Sequence, residues 1–166
     1  MTQSIISLFI LYSLVACLPQ TLKENPMGNL EKTTFNVQKS AEEWQEILTP
    51  AQYHILREAG TEHPHSGEFN MHFEKGVYTC AGCGEKLFDS TAKFDAHCGW
   101  PSFDQSVEEG KIIEKVDRSH GMVRTEILCG NCGGHLGHVF DDGPTETGLR
   151  YCVNSLSLDF EEESEK

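Results

Sequence analysis

The chain has 166 residues, 38% of them hydrophobic, which is enough for one domain with a real core and some additional sequence. Its formal net charge of −13 argues against nucleic acid and acidic membrane surfaces as partners. Part of that charge sits in the terminal run Glu161-Glu162-Glu163-Ser164-Glu165-Lys166, which reads as a solvated tail over 161–166 without a functional role.

An apolar run from Ile5 to Leu18 is too short to span a bilayer and has the size of a signal-peptide core, so 1–17 is read as a leader. It ends in Leu14-Val15-Ala16-Cys17, which resembles the lipobox of bacterial lipoproteins, where the cysteine becomes the lipid-modified first residue. Met1-Thr2-Gln3-Ser4 lacks the positive charge usual before such a core. A cleaved signal without lipid, and a cytosolic protein starting at Met27, are the alternatives. The pattern favours export to the periplasm or a membrane anchor through lipid on Cys17. Residues 18–38 are polar and aperiodic, as in a linker.

Ser40-Ala41-Glu42-Glu43 has the form of a capping box and predicts a short helix through Leu48. Thr49-Pro50 predicts a second, ending at Gly60. Short alternating runs follow at Gly76–Thr79, Glu85–Phe88, Lys111–Val116, Met122–Leu128 and Val139–Phe140, with glycine-rich turns between them. Asp117–Gly121 reads as a hairpin connection. The fold class is α+β, mainly β, with helices first and an antiparallel sheet after, in a domain over 39–160.

Seven cysteines divide unevenly. Setting Cys17 aside, Cys80-Ala81-Gly82-Cys83 and Cys129-Gly130-Asn131-Cys132 are one construction used twice. A two-residue spacer lets both thiolates of a turn reach one tetrahedral cation, and two turns close a four-thiolate site with no open position, which makes the metal structural. Disulfides or redox thiols are the alternative in an exported chain. The matched turns favour one zinc per chain, stapling distant parts of the sheet.

Cys98 and Cys152 stand alone. Cys98 lies in His97-Cys98-Gly99-Trp100-Pro101-Ser102-Phe103, a sharp bend around an aromatic. Trp100 is either a core residue or one wall of an apolar pocket. His135 and His138 would face opposite ways on a regular strand, and share a site only where Gly137 bends or bulges the chain. From Gly148 to Phe160 a period of two puts Arg150, Cys152, Asn154, Leu156, Leu158 and Phe160 on one strand face. A thiol beside a guanidinium and a carboxamide is a setting that stabilises a thiolate; an ordinary core cysteine is the alternative.

Taken together, Leu48-Thr49-Pro50 with Gly60-Thr61-Glu62, both cysteine turns, Cys98–Phe103, Ser119-His120-Gly121-Met122, His135–Phe140 and Arg150–Ser155 resemble the B-type methionine-R-sulfoxide reductases over about Glu42 to Phe160. The resemblance implies two antiparallel sheets stapled by zinc, and reduction of the R epimer of methionine sulfoxide, free or peptide-bound. It implies Cys152 as nucleophile, Cys98 as resolving thiol and Trp100 against the substrate methyl, with His135, His138 and Asn154 around the sulfoxide oxygen. Arg150 and a histidine are the candidates for lowering the Cys152 pKa. A thioredoxin or thioredoxin-like dithiol would recycle the enzyme, with oxidised proteins as substrates. The competing class is a non-enzymatic zinc module in which Cys98 and Cys152 form a structural disulfide and Trp100 contacts a protein partner.

Overall fold

Ser40 and Thr49 each open a helix by the same reciprocal device. In α1 (Ala41–Ile47) the Ser40 hydroxyl accepts from Glu43 N while Glu43 reaches back to the Ser40 N–H. In α2 (Pro50–Glu58) Thr49 and Gln52 do the same, and proline at the first position has no N–H to leave unpaired. The computed structural model describes residues 34–164, so the expected leader with Cys17 and most of the expected linker lie outside the described residues.

The strands are β1 (Gly76–Cys80), β2 (Lys86–Asp89), β3 (Lys93–Phe94), β4 (Ser102–Phe103), β5 (Ile112–Asp117), β6 (Arg124–Cys129), β7 (His135–Phe140), β8 (Arg150–Val153) and β9 (Leu158–Glu162). They form two antiparallel sheets, β2-β1-β9 and β3-β4-β8-β7-β6-β5, as the resemblance implied. Aromatic side chains join them: Phe88 stacks on Phe103 at 4.3 Å between ring centres, and Tyr78 meets Phe103 edge-on at 5.0 Å. All three are fully buried, so one apolar core serves both sheets.

The C-terminal stretch departs from the period-two reading. Its strand stops at Val153, the chain makes a 3₁₀ turn over Ser155–Ser157, and β9 joins the other sheet. Leu156, Leu158 and Phe160 therefore do not continue the face that carries Cys152. Leu158 is core, and Phe160 packs against Tyr78 and His72. Glu161 and Glu162 pair with Val77 and Gly76 with their side chains exposed, so the ladder runs into the acidic stretch.

Strand β7 also begins earlier than its apolar pair Val139–Phe140 suggests, at His135. Its register against β6 slips between Ile127 and Leu128, which pair with Gly137 and His135 and leave Leu136 as an extra residue. That bulge has a direct effect on the two histidines.

Candidate active site and metal centre

Cys80 ends β1 in one sheet and Cys129 ends β6 in the other. Each is followed by a tight turn in which backbone amides fold back, Cys83 N and Gly84 N onto Cys80 O, and Gly133 N onto Cys129 O. The turns face each other, and all four sulfurs lie within 4.8 Å of one another. Cys80 Sγ is 3.7 Å from Cys132 Sγ, and Cys83 Sγ is 3.6 Å from Cys129 Sγ. A cation bonded to four sulfurs at about 2.3 Å in a tetrahedron sets them about 3.8 Å apart, so the cluster fits a single metal ion. Chain on both sides supports it: Asn131 Nδ2 donates to Cys83 Sγ at 3.5 Å, and Val37 N to Asn131 O at 3.0 Å.

The remaining two cysteines meet elsewhere. Cys152 lies in β8 between Ser102 of β4 and His138 of β7 as cross-strand neighbours. Cys98 reaches it from a bend in which His97 and Gly99 both take positive φ, 54° and 93°. A Cβ on Gly99 would lie 2.7 Å from Pro64 Cβ, so only glycine fits where this bend meets the loop after α2. Cys98 Sγ ends 3.8 Å from Cys152 Sγ and 3.5 Å from Ser102 Oγ. Both are free thiols.

Each thiol shifts the other, in opposite directions. Cys98 is pushed down to about 5, chiefly by the hydrogen bond from the Cys152 thiol, against burial, with help from the Ser102 hydroxyl and the Arg150 charge. Cys152 is pushed up, because its proton serves that hydrogen bond, burial opposes charge and a second thiolate would face the first; Arg150 pulls the other way. Sequence reasoning gave activation to Arg150 and a histidine, whereas the largest influence on either thiol is the other thiol.

Cys152 opens onto a cavity of about 110 Å³. Trp100, Phe140 and Val153 give it apolar walls, while Thr61, Arg124, His138 and Asn154 form its polar edge. Trp100 is held by donation from Nε1 to Glu62 O at 3.2 Å. Asn154 donates from Nδ2 to Leu136 O at 3.0 Å and accepts at Oδ1 from Glu62 N at 3.1 Å. One hydrogen of its amide remains for a ligand.

The bulge in β7 sets the two imidazole rings 5.7 Å apart, but only His138 lines the cavity. Its Nε2 meets Asp117 Oδ2 at 3.0 Å, and the same carboxylate accepts from Arg124 at 2.7 Å. Hydrogen bonds from Ser119, His138 and Arg124 hold the Asp117 carboxyl well below the usual range. His135 is buried with Nδ1 on Glu126 Oε1 at 2.8 Å, and burial pushes its pKa down, which favours a neutral ring. Arg150 does not line the cavity; it grips Asp142 through two bonds of 2.8 and 2.9 Å and stacks over Phe140 at 4.4 Å.

Thr61, Arg124 and Phe140 were not named as site residues from the sequence. Thr61 and Phe140 lie within motifs already singled out, but nothing local to Arg124 distinguishes it from a surface arginine on a strand.

Residues 48–162 match the SelR domain. The chain belongs to the SelR family, the B-type methionine sulfoxide reductases. Among similar curated proteins, the peptide methionine sulfoxide reductase MsrB of Agrobacterium fabrum is 60% identical over 129 residues, covering 78% of this chain and 96% of that protein. The MsrB of Variovorax paradoxus is 56% identical over 132 residues, 76% of this chain and 97% of that one. The MsrB of Methanosarcina barkeri is 54% identical over 129 residues, covering 78% of this chain and 91% of that one. Membership makes this chain an oxidoreductase that reduces methionine sulfoxide, and the zinc-module alternative is not favoured.

Proposed function

We propose that the chain reduces the R epimer of methionine sulfoxide through a sulfenic acid on Cys152 and a Cys98–Cys152 disulfide. The observation that carries this is the free thiol pair at 3.8 Å with only Cys152 on the cavity. The sulfoxide's methyl group lies against Trp100 and its oxygen toward the polar edge at His138 and Asn154. At 3.8 Å the two sulfurs can share one proton, and Cys152, the sulfur that faces substrate, reacts as the thiolate with that proton on Cys98.

Cys152 Sγ then attacks. The sulfoxide S–O bond breaks, an S–O bond forms on Cys152, the oxygen takes up one proton, and methionine leaves as thioether. Cys98 attacks the sulfenic sulfur, the S–S bond forms and water departs. An external dithiol of the thioredoxin kind returns both sulfurs to thiols, with oxidised proteins as the natural substrates.

The ion in the four-cysteine cluster is read as zinc, held by Cys80, Cys83, Cys129 and Cys132. Four sulfur ligands leave it no open position, so when bound it supplies structure and takes no part in the reaction. Export is read from residues 1–17 alone; mass spectrometry of the mature N-terminus checks it, with lipid on Cys17 the expected form.

The deciding assay uses the R and S sulfoxides of a blocked methionine with dithiothreitol. Only the R form should be consumed, and Cys152→Ser should abolish its consumption. Equal use of both epimers, or substantial turnover by the serine variant, overturns the assignment.

A further inference from the structure

The mechanism leaves one buried acid unused. Glu62 is only 8% exposed, and its four hydrogen bonds run to two different parts of the site. Its carboxylate accepts from Ser155 N at 2.7 Å and from Leu156 N at 3.1 Å, the first amides of the 3₁₀ turn that follows Asn154. Its main chain accepts from Trp100 Nε1 and donates to Asn154 Oδ1.

One residue thus joins both walls of the cavity. The side chain locks the loop after α2 onto the exit of β8, and the main chain of that anchored residue sets Trp100 on one side and Asn154 on the other. Thr61, the adjacent residue, lines the same cavity. The loop is packed tightly here: a Cβ on Gly67 would lie 2.3 Å from Ser155 Oγ and 2.6 Å from Glu62 Oε1. A buried carboxylate held by two backbone amides has no freedom to swing toward solvent, so the main-chain bonds inherit its rigidity.

We infer that Glu62 is a positioning residue of the reductase, whose carboxylate fixes the spacing between Trp100 and Asn154 and so sets affinity for the methyl sulfoxide group. This rests on the assignment of those two residues to the substrate pocket. Glu62 itself touches neither substrate nor sulfur. Its loss should loosen the pocket before substrate arrives while leaving Cys152, held in β8 between β4 and β7, in place.

The test compares Glu62→Ala and Glu62→Gln in the full-length, zinc-loaded protein, with the R sulfoxide of a blocked methionine as probe. Alanine should raise KM about tenfold while kcat stays within about threefold, and glutamine, which keeps one good acceptor, should fall between alanine and wild type. Trp100→Phe removes the Nε1 donor and keeps the apolar wall. Combining it with Glu62→Ala should raise KM by less than the product of the single effects, as for residues acting through one contact. A general loss of stability would instead scale the active fraction and leave KM alone.

If Glu62→Ala does not fold, the glutamine variant decides: a raised KM at near-constant kcat supports the role. Unchanged KM in the folded variants, or multiplicative effects with Trp100→Phe, overturns it. Trp100→Ala and Asn154→Ala serve as the control on the premise. If both leave KM unchanged, the pocket assignment itself fails; if both raise it and Glu62 does not, only the positioning role fails.

Discussion

Cys98 and Cys152 lie close enough that the ionisation of each is governed by the other, and this makes their roles separable by experiment. Cys98→Ser removes the sulfur proposed to resolve the sulfenic acid but leaves a thiol on the cavity, so it should release one methionine per chain in a single turnover and then fail to cycle with thioredoxin. Unchanged thioredoxin-driven cycling would remove Cys98 from the pathway. The mutual shift also has a pH signature. An acid whose pKa is lowered is ionised above that pKa, so the reduced pair should carry its thiolate from about pH 5 upward, where a free thiol at ~8.5 would still be protonated. Alkylation of the zinc-loaded protein by iodoacetamide should therefore show a midpoint near 5. Arg150→Met should move that midpoint upward, since Arg150 lowers both thiols; an unmoved midpoint would show that its charge, already engaged by Asp142, does not reach them.

Strand β7 shows how a local irregularity assembles the site and how far such features are legible in the sequence. A Cβ on Gly137 would lie 2.0 Å from the carbonyl oxygen of Cys152, a backbone atom that can yield only by moving β8. Overpacking typically costs about 1–3 kcal/mol, and a backbone clash belongs at the upper end. Gly137→Ala should thus lower the melting temperature by roughly 10 °C and depress turnover through the displaced Cys152. A variant that melts and turns over like wild type would mean the two strands separate at little cost. The sequence named Gly137 because two histidines three apart need a bend to meet, and the bulge is there. It could not show that only His138 opens to the cavity, because that depends on Glu126 capturing His135 from the neighbouring strand. The break after Val153 was hidden for a similar reason. Leu156, Leu158 and Phe160 alternate like a strand, but the amides of Ser155 and Leu156 turn to a carboxylate more than ninety residues earlier in the chain. Strands β3 and β4, two residues each, are too short to carry any period.

The two sheets share an aromatic core, yet the four-cysteine cluster joins them where β1 and β6 end, so an ion bound there would tie the stability of the whole domain to its retention. Three of the four cysteines are buried. Without an ion they would be either thiols with poor partners or thiolates repelling one another at under 4 Å. Apparent zinc affinities in small four-ligand sites are about 10–16 kcal/mol at neutral pH, against a total stability of roughly 5–15 kcal/mol for a domain. The two ranges overlap, so metal binding is comparable to the whole stability of a domain and the core alone should be at best marginal. Purified protein should contain close to one zinc per chain. Strong chelation, or Cys80→Ser, should abolish the cooperative near-ultraviolet melting transition or lower it by well over 10 °C. The pH dependence has a definite sign: the ligands bind as thiolates, so protons compete with the metal, and stability should fall as the solution is acidified far enough to release zinc. Zinc content and melting temperature measured on the same acidified samples should decline together. A metal-free preparation that melts with the loaded protein would show that the aromatic core between the sheets is sufficient by itself.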